Sequence, residues 1–141
     1  MRRAYLTIAL GLAAIVAWGF WQTYFGPLLS GWPNRPWFIH MHAAVFSGWL
    51  VLLVAQASLA SSGRLPLHRR VGQIGMGYGT LVLCVGLFVS VAAPALRVRA
   101  GQLPIDRAAL VVLYNLTDML LFGAFFTAQW SVEPSPTCTN G

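Results

Sequence analysis

Four long apolar runs, separated by short stretches that hold all of the arginines, constrain this chain more than any other feature of its sequence. The runs cover about residues 4–25, 37–60, 71–95 and 108–128. Arg2 and Arg3 precede the first; Arg35, then Arg64, Arg69 and Arg70, then Arg97, Arg99, Asp106 and Arg107 lie between the others. Each run reaches the roughly 20 residues that a helix needs to cross a bilayer's hydrocarbon. Continuous apolarity at this length predicts helices, because barrel strands alternate strictly in segments of about ten. Hydrophobic residues make up 57% of the 141 positions and charged ones 9%, so a soluble fold would lack polar surface; soluble domains hold about a quarter charged residues. The expected fold class is all-α, an integral membrane bundle of about four transmembrane helices. It forms one domain over residues 1–128 and is followed by a polar tail, 129–141.

The first run resembles a signal peptide only in its Met-Arg-Arg start. It ends in "WGFWQTYFG" rather than a small-residue cleavage site, and Trp18, Trp21 and Tyr24 read as an interfacial aromatic belt, so an uncleaved anchor is expected. Orientation follows from the basic connections. With the amino terminus inside, five arginines (Arg2, Arg3, Arg64, Arg69, Arg70) face the cytoplasm and four (Arg35, Arg97, Arg99, Arg107) face outward. The third connection, "LRVRAGQLPIDR", dissents. The net charge of +6 is carried by arginine alone, at the membrane faces, which points to the lipid bilayer and anionic lipid headgroups as partners and not to nucleic acid. Cys84 falls inside the third run and Cys138 in the tail, so no disulfide is expected between them.

The second run opens with "FIHMH", and a helix turns about 100° per residue, so His40 and His42 point to opposite faces and cannot clamp one ion together. His42 shares a stripe with Val45, Phe46, Trp49, Leu53 and Gln56; His40 shares one with Ala44, Ser47 and Val51. The His42 stripe holds the larger polar and aromatic groups and is expected to face the interior, since lipid offers His and Gln no partner. A position for both imidazoles in the headgroup zone is the alternative. His68, in "GRLPLHRRVG", lies at the other end of the span, on the order of 35–40 Å from His42 along a helix. A zinc site built from all three histidines is excluded by that distance, and no acidic or cysteine cluster replaces it.

In the third run Gly72, Gly75, Gly79 and Gly86, extended by Ser90 and Ala93, fall on one smooth face. Two uses compete: close helix contact of the Gly-x-x-x-Gly kind at Gly75 and Gly79, or a flat wall for a planar cofactor such as haem. The surrounding "GMGYG" is no dinucleotide loop, since no strand precedes it. Asp118 stands near the middle of the fourth run with Tyr114 and Asn115 one turn back. An acid at that depth costs about 2.5–3.5 kcal/mol on insertion scales, so it is expected to be buried and partnered, either as a proton or cation relay or as a protonated group bonded to Asn115 or to Gln56 of a neighbour. No nucleophile–base pair or phosphate loop is present to support hydrolase or kinase chemistry.

The His-x-His at one helix head, "WLVLLVAQ" and "GRLPLHRRVGQI" together resemble a group of bacterial multi-pass membrane proteins whose members have no assured activity. His40, His42, Gln56, Gly63, Arg64, Leu67, His68, Arg69 and Gly72 carry the resemblance, which covers about residues 37–126. The group is similar in layout to b-type cytochrome membrane domains, and by that analogy the resemblance implies an inner-membrane location and haem b as a cofactor, with His42 as axial ligand, His40 beside it and Gly75 and Gly79 as the wall. A second axial ligand would have to come from a homo-oligomer or a further helix. Such proteins continue past a fourth span with a second His-Arg or His-Lys-Arg motif, whereas this chain runs into "SVEPSPTCTNG". Codons can be chosen for that tail whose shifted frame reads Gly-Ala-Glu-Pro-Asp-Val-His-Lys-Arg, so a frameshifted or truncated product of a larger bundle is expected. The competing expectation for function is a membrane scaffold or small transporter without a cofactor, in which His40, His42, Gln56, His68, Arg69 and Asp118 make structural, proton-handling or headgroup contacts.

Overall fold

A computed structural model describes residues 2–31 and 35–128. The tail, with Cys138 and the frameshift expectation, lies outside the described residues. Those described are all-α: α1 (Arg2–Phe20), a π turn (Trp21–Phe25), α2 (Gly26–Leu29), α3 (Trp37–Ser61), α4 (Leu65–Arg99) and α5 (Ile105–Ala128). Four helical stretches are long and apolar enough to span a bilayer, at Leu6–Leu29, Trp37–Ser61, Leu65–Arg99 and Ile105–Ala128. The chain is a multi-pass membrane protein.

The first stretch reaches Leu29, beyond the apolar limit near residue 25, by way of the π turn. Pro27 has no N–H, and its ring would strike the Thr23 carbonyl in regular α geometry. Widening the preceding turn, so that the Gly26 N–H donates to the Trp21 carbonyl, carries the chain past it. Gly26 suits this turn because a Cβ there would lie 2.9 Å from the Trp21 oxygen.

Two Schellman-type closures set the hairpins. The Arg64 N–H donates to Leu59 O (3.0 Å) around Gly63 at φ 75°, and the Gln102 N–H donates to Arg97 O (2.9 Å) around Gly101 at φ 67°. Pro66 then sits in the first turn of α4, where no N–H is needed. Helix α4 runs 35 residues, about 52 Å at 1.5 Å per residue, against about 30 Å of hydrocarbon. Its ends, with Arg69 and Arg70 at one and Arg97 and Arg99 at the other, therefore extend past the apolar stretch.

The chain divides within α4 into two compact units, residues 1–85 and 86–141. In the first, α1 packs on α3. An open apolar groove of about 460 Å³ runs between Leu10, Ala13, Ala14 and Ala17 of α1 and Leu50, Val51 and Val54 of α3. The second unit holds the end of α4 and α5; there Ser90 is buried and donates its hydroxyl to Gly86 O at 2.7 Å, and Phe122 stacks on Phe126 with centroids 5.8 Å apart.

Candidate functional site

The short α3–α4 turn folds the two helices antiparallel, so residues at equal distances from Ser62–Arg64 meet. The contacts form a ladder along the seam. His68 Nδ1–H donates to the Gln56 backbone oxygen (3.2 Å), Gly72 faces the Gln56 amide, Gly75 faces Leu52, and Tyr78 reaches Gly48 and Val45. The Tyr78 hydroxyl donates to Val45 O at 2.9 Å, while its ring lies 5° from parallel with Trp49 at a centroid distance of 6.4 Å.

That ladder decides between the two uses of the glycine stripe over its first half. A Cβ on Gly75 would lie 3.2 Å from Leu52 Cδ2, and one on Gly72 would lie 3.4 Å from Gln56 Nε2. The α4 face there is filled by α3, which is the close-contact use. Gly79 is buried as well, as are Gly86 and Ser90 further along the stripe.

His42 is half-buried, with its ring tilted 36° against Phe46 at 4.2 Å. Its Nδ1 is buried and has no hydrogen-bond partner, and the Gln56 side-chain oxygen is in the same condition. Both lie on the stripe that also carries Trp49 and Val45, the residues that meet Tyr78. His40 is exposed and shares a 2.6 Å hydrogen bond with the Tyr24 hydroxyl, their rings meeting edge-on at 5.7 Å. Tyr24 thus ties the end of the first spanning stretch to the head of α3.

His68 lies in the first turn of α4 and not in a loop. A carbonyl can only accept, so the bond to Gln56 puts the His68 proton on Nδ1 and leaves Nε2 as an acceptor in the neutral ring. Arg64, Arg69 and Arg70 around it are exposed. This end of the hairpin offers three guanidinium forks to an anion.

Asp118 is exposed, and it has no hydrogen bond or ion pair with any described residue, Asn115 included. The helical phase of α5 explains this: Asp118 lies on the side that carries Tyr114 (70% exposed) and Phe125 (72%). The neighbouring Thr117 hydroxyl is turned back to Leu113 O at 2.9 Å.

The described residues do not fit haem b, the cofactor implied by the resemblance, within a single copy of the chain. Ligation through His42 Nε2 would leave a buried Nδ1–H without the acceptor that ligating imidazoles ordinarily have. The glycine face at Gly72 and Gly75 is occupied by α3. For a metal ion held by side chains alone, a separate matter from haem, no group of three or more His, Cys, Asp or Glu occurs among the described residues. Sequence reasoning missed Tyr78 and the Gln56–His68 bond; the near-equal spacing of these residues from the "SSGR" turn was the signal that would have found both. No family model matches the chain, and no curated protein or solved structure matches it either.

Proposed function

We propose that the chain is a membrane scaffold, in which the α3–α4 hairpin is a rigid element locked by small-residue contacts and the arginine-rich end of α4 holds lipid phosphates. The observation that carries this reading is the occupied glycine face: Gly48, Gly72 and Gly75 each admit a side chain of the opposite helix. Gly63 and the Gln56–His68 bond hold Arg64, Arg69 and Arg70 at the hairpin end, where guanidinium groups match phosphate bidentately. The location in this reading is a bacterial inner membrane with the amino terminus in the cytoplasm; the positive-inside rule supports that orientation by five arginines (Arg2, Arg3, Arg64, Arg69, Arg70) against four (Arg35, Arg97, Arg99, Arg107).

A second reading, a redox role with haem shared between two copies, is favoured by one observation, the buried unpartnered Nδ1 of His42, provided that Nδ1 itself and not Nε2 is the ligating nitrogen, so that no buried N–H is left without an acceptor. A reduced-minus-oxidised visible spectrum separates the two. Protein purified from haem-replete membranes is expected to show no haem band, in wild type or in His42→Ala. A band present in wild type and lost in the variant would replace the scaffold reading with the redox one.

A further inference from the structure

We infer that the α3–α4 hairpin end selects, among anionic phospholipids, one whose headgroup carries a hydroxyl, as phosphatidylglycerol does: Arg64 takes the phosphate and His68 Nε2 accepts a hydrogen bond from the hydroxyl. The inference rests on the headgroup contact of the scaffold reading and names the ligand of that site. The sign of the cluster does not depend on how residues 86–141 lie. Residues 1–85 hold six arginines and no acid, whereas Asp106, Asp118 and Glu133 share residues 86–141 with Arg97, Arg99 and Arg107. The whole formal charge of +6 therefore belongs to the part that contains the hairpin. Arg64, Arg69 and Arg70 are exposed and form no ion pair among the described residues, and no other part of the chain carries net negative charge to meet them.

His68 adds what arginine lacks, an acceptor. Its Nδ1–H donates to Gln56 O at 3.2 Å, so in the neutral ring Nε2 presents a lone pair, and that nitrogen has no hydrogen bond among the described residues. The Ser61 and Ser62 hydroxyls at the same end donate to Ser58 O (2.9 Å) and Leu59 O (3.2 Å), so neither gives its proton to the ring. The His68 N–H donates to Arg64 O at 2.9 Å, a helical step of four residues that sets the two side chains on one face with about 5–6 Å between Cβ atoms. A phosphate alone would satisfy the guanidinium and turn lone pair against lone pair at Nε2. An ammonium headgroup would meet three arginines. A neutral hydroxyl a few bonds from the phosphate satisfies both groups. Helix α4 is roughly 20 Å longer than the hydrocarbon is thick, which puts His68, in its first turn, at headgroup depth.

The test offers the delipidated full chain equal amounts of phosphatidylglycerol and phosphatidylmethanol with the same acyl chains. The two share one negative charge and differ in the glycerol hydroxyls. Native mass spectrometry reads the lipid-bound ratio at pH 8, above the ordinary imidazole value of about 6.5. Wild type is expected to favour phosphatidylglycerol about threefold to tenfold, the worth of one hydrogen bond. His68→Asn keeps a donor for Gln56 O but has no acceptor at the place of Nε2, and is expected to bind the two lipids about equally with the total unchanged. Equal binding by wild type, a reading that needs no variant to fold, or an undiminished preference in His68→Asn would overturn the inference. Displacement of the lipid by excess glycerol 3-phosphate would assign the site to a soluble phosphate ester and overturn it as well. Equal binding of both lipids that is lost on joint replacement of Arg64, Arg69 and Arg70 by Gln would sink this inference and leave the headgroup reading standing; binding that ignores that replacement would sink the headgroup reading and the inference with it.

Discussion

Replacing Gly48 by Ala places a methyl group where the Tyr78 hydroxyl now lies, with the ring Cζ 3.1 Å away. The ring cannot slide freely: one face is stacked on Trp49 and the hydroxyl is bonded to Val45 O. Relief requires the ring to swing out of the seam, which removes the hydrogen bond, worth about 0.6 and at most about 1.7 kcal/mol between membrane helices, and adds overpacking of about 1–3 kcal/mol. The better helix propensity of Ala offsets about 1 kcal/mol. The expected net loss is about 1–3 kcal/mol, by the same terms. Removing the hydroxyl by Tyr78→Phe should cost only the hydrogen bond, and in that background Gly48→Ala should cost less than about 1 kcal/mol, because the main obstruction is gone. Reversible unfolding in mixed detergent micelles, followed by tryptophan fluorescence, measures all four corners of this cycle. Additive costs, with Gly48→Ala equally harmful in both backgrounds, would refute the claim that Tyr78 fills the space above Gly48.

Other positions on the seam give graded outcomes. Gly75→Ala meets only the flexible end of Leu52, so unfolding in the same micelles should shift little, whereas Gly75→Leu should push α3 off α4 and cost more than about 2 kcal/mol, toward the upper end of the overpacking range. Gly63→Ala forces a Cβ into a left-handed turn at φ 75°, with an expected loss of about 1–2 kcal/mol; an unchanged midpoint would contradict the closure described here. Tyr24→Phe frees His40 Nδ1, so acylation of His40 by diethyl pyrocarbonate should become faster while that of His68 stays constant. Joint replacement of Arg64, Arg69 and Arg70 by Gln should reduce the phosphatidylglycerol retained on the purified protein, as seen by native mass spectrometry; equal retention would remove the headgroup role.

The four spanning segments were legible because run length and charge exclusion are properties of the chain alone. The long reach of α4 and the extension to Leu29 were less so, since both depend on backbone devices, the proline-initiated first turn and the π turn, that hydropathy does not record. The opposite facing of His40 and His42 followed from the helical repeat. Their partners did not: the Tyr24–His40 bond joins residues 16 apart, and nothing local to either announces it. Asp118 shows a different limit. The rule that a mid-membrane acid is covered speaks of the assembled protein, whereas the helical phase of one run does not say which of its faces a neighbouring helix covers. The glycine stripe was ambiguous in sequence because packing and cofactor walls ask for the same residues; only the side chain facing it, Leu52, separates the two.

That separation also provides the most direct test of the scaffold account. With Cys84 and Cys138 replaced by Ala, the pair Leu52→Cys and Gly75→Cys is oxidised in native membranes and the intramolecular disulfide is quantified by mass spectrometry of tryptic fragments. The account predicts efficient bridging, since α3 lies directly against the glycine face. Failure to bridge in a folded protein, with Gly75→Cys accessible to a planar or bulky thiol reagent, would mean that the face is open and would contradict it.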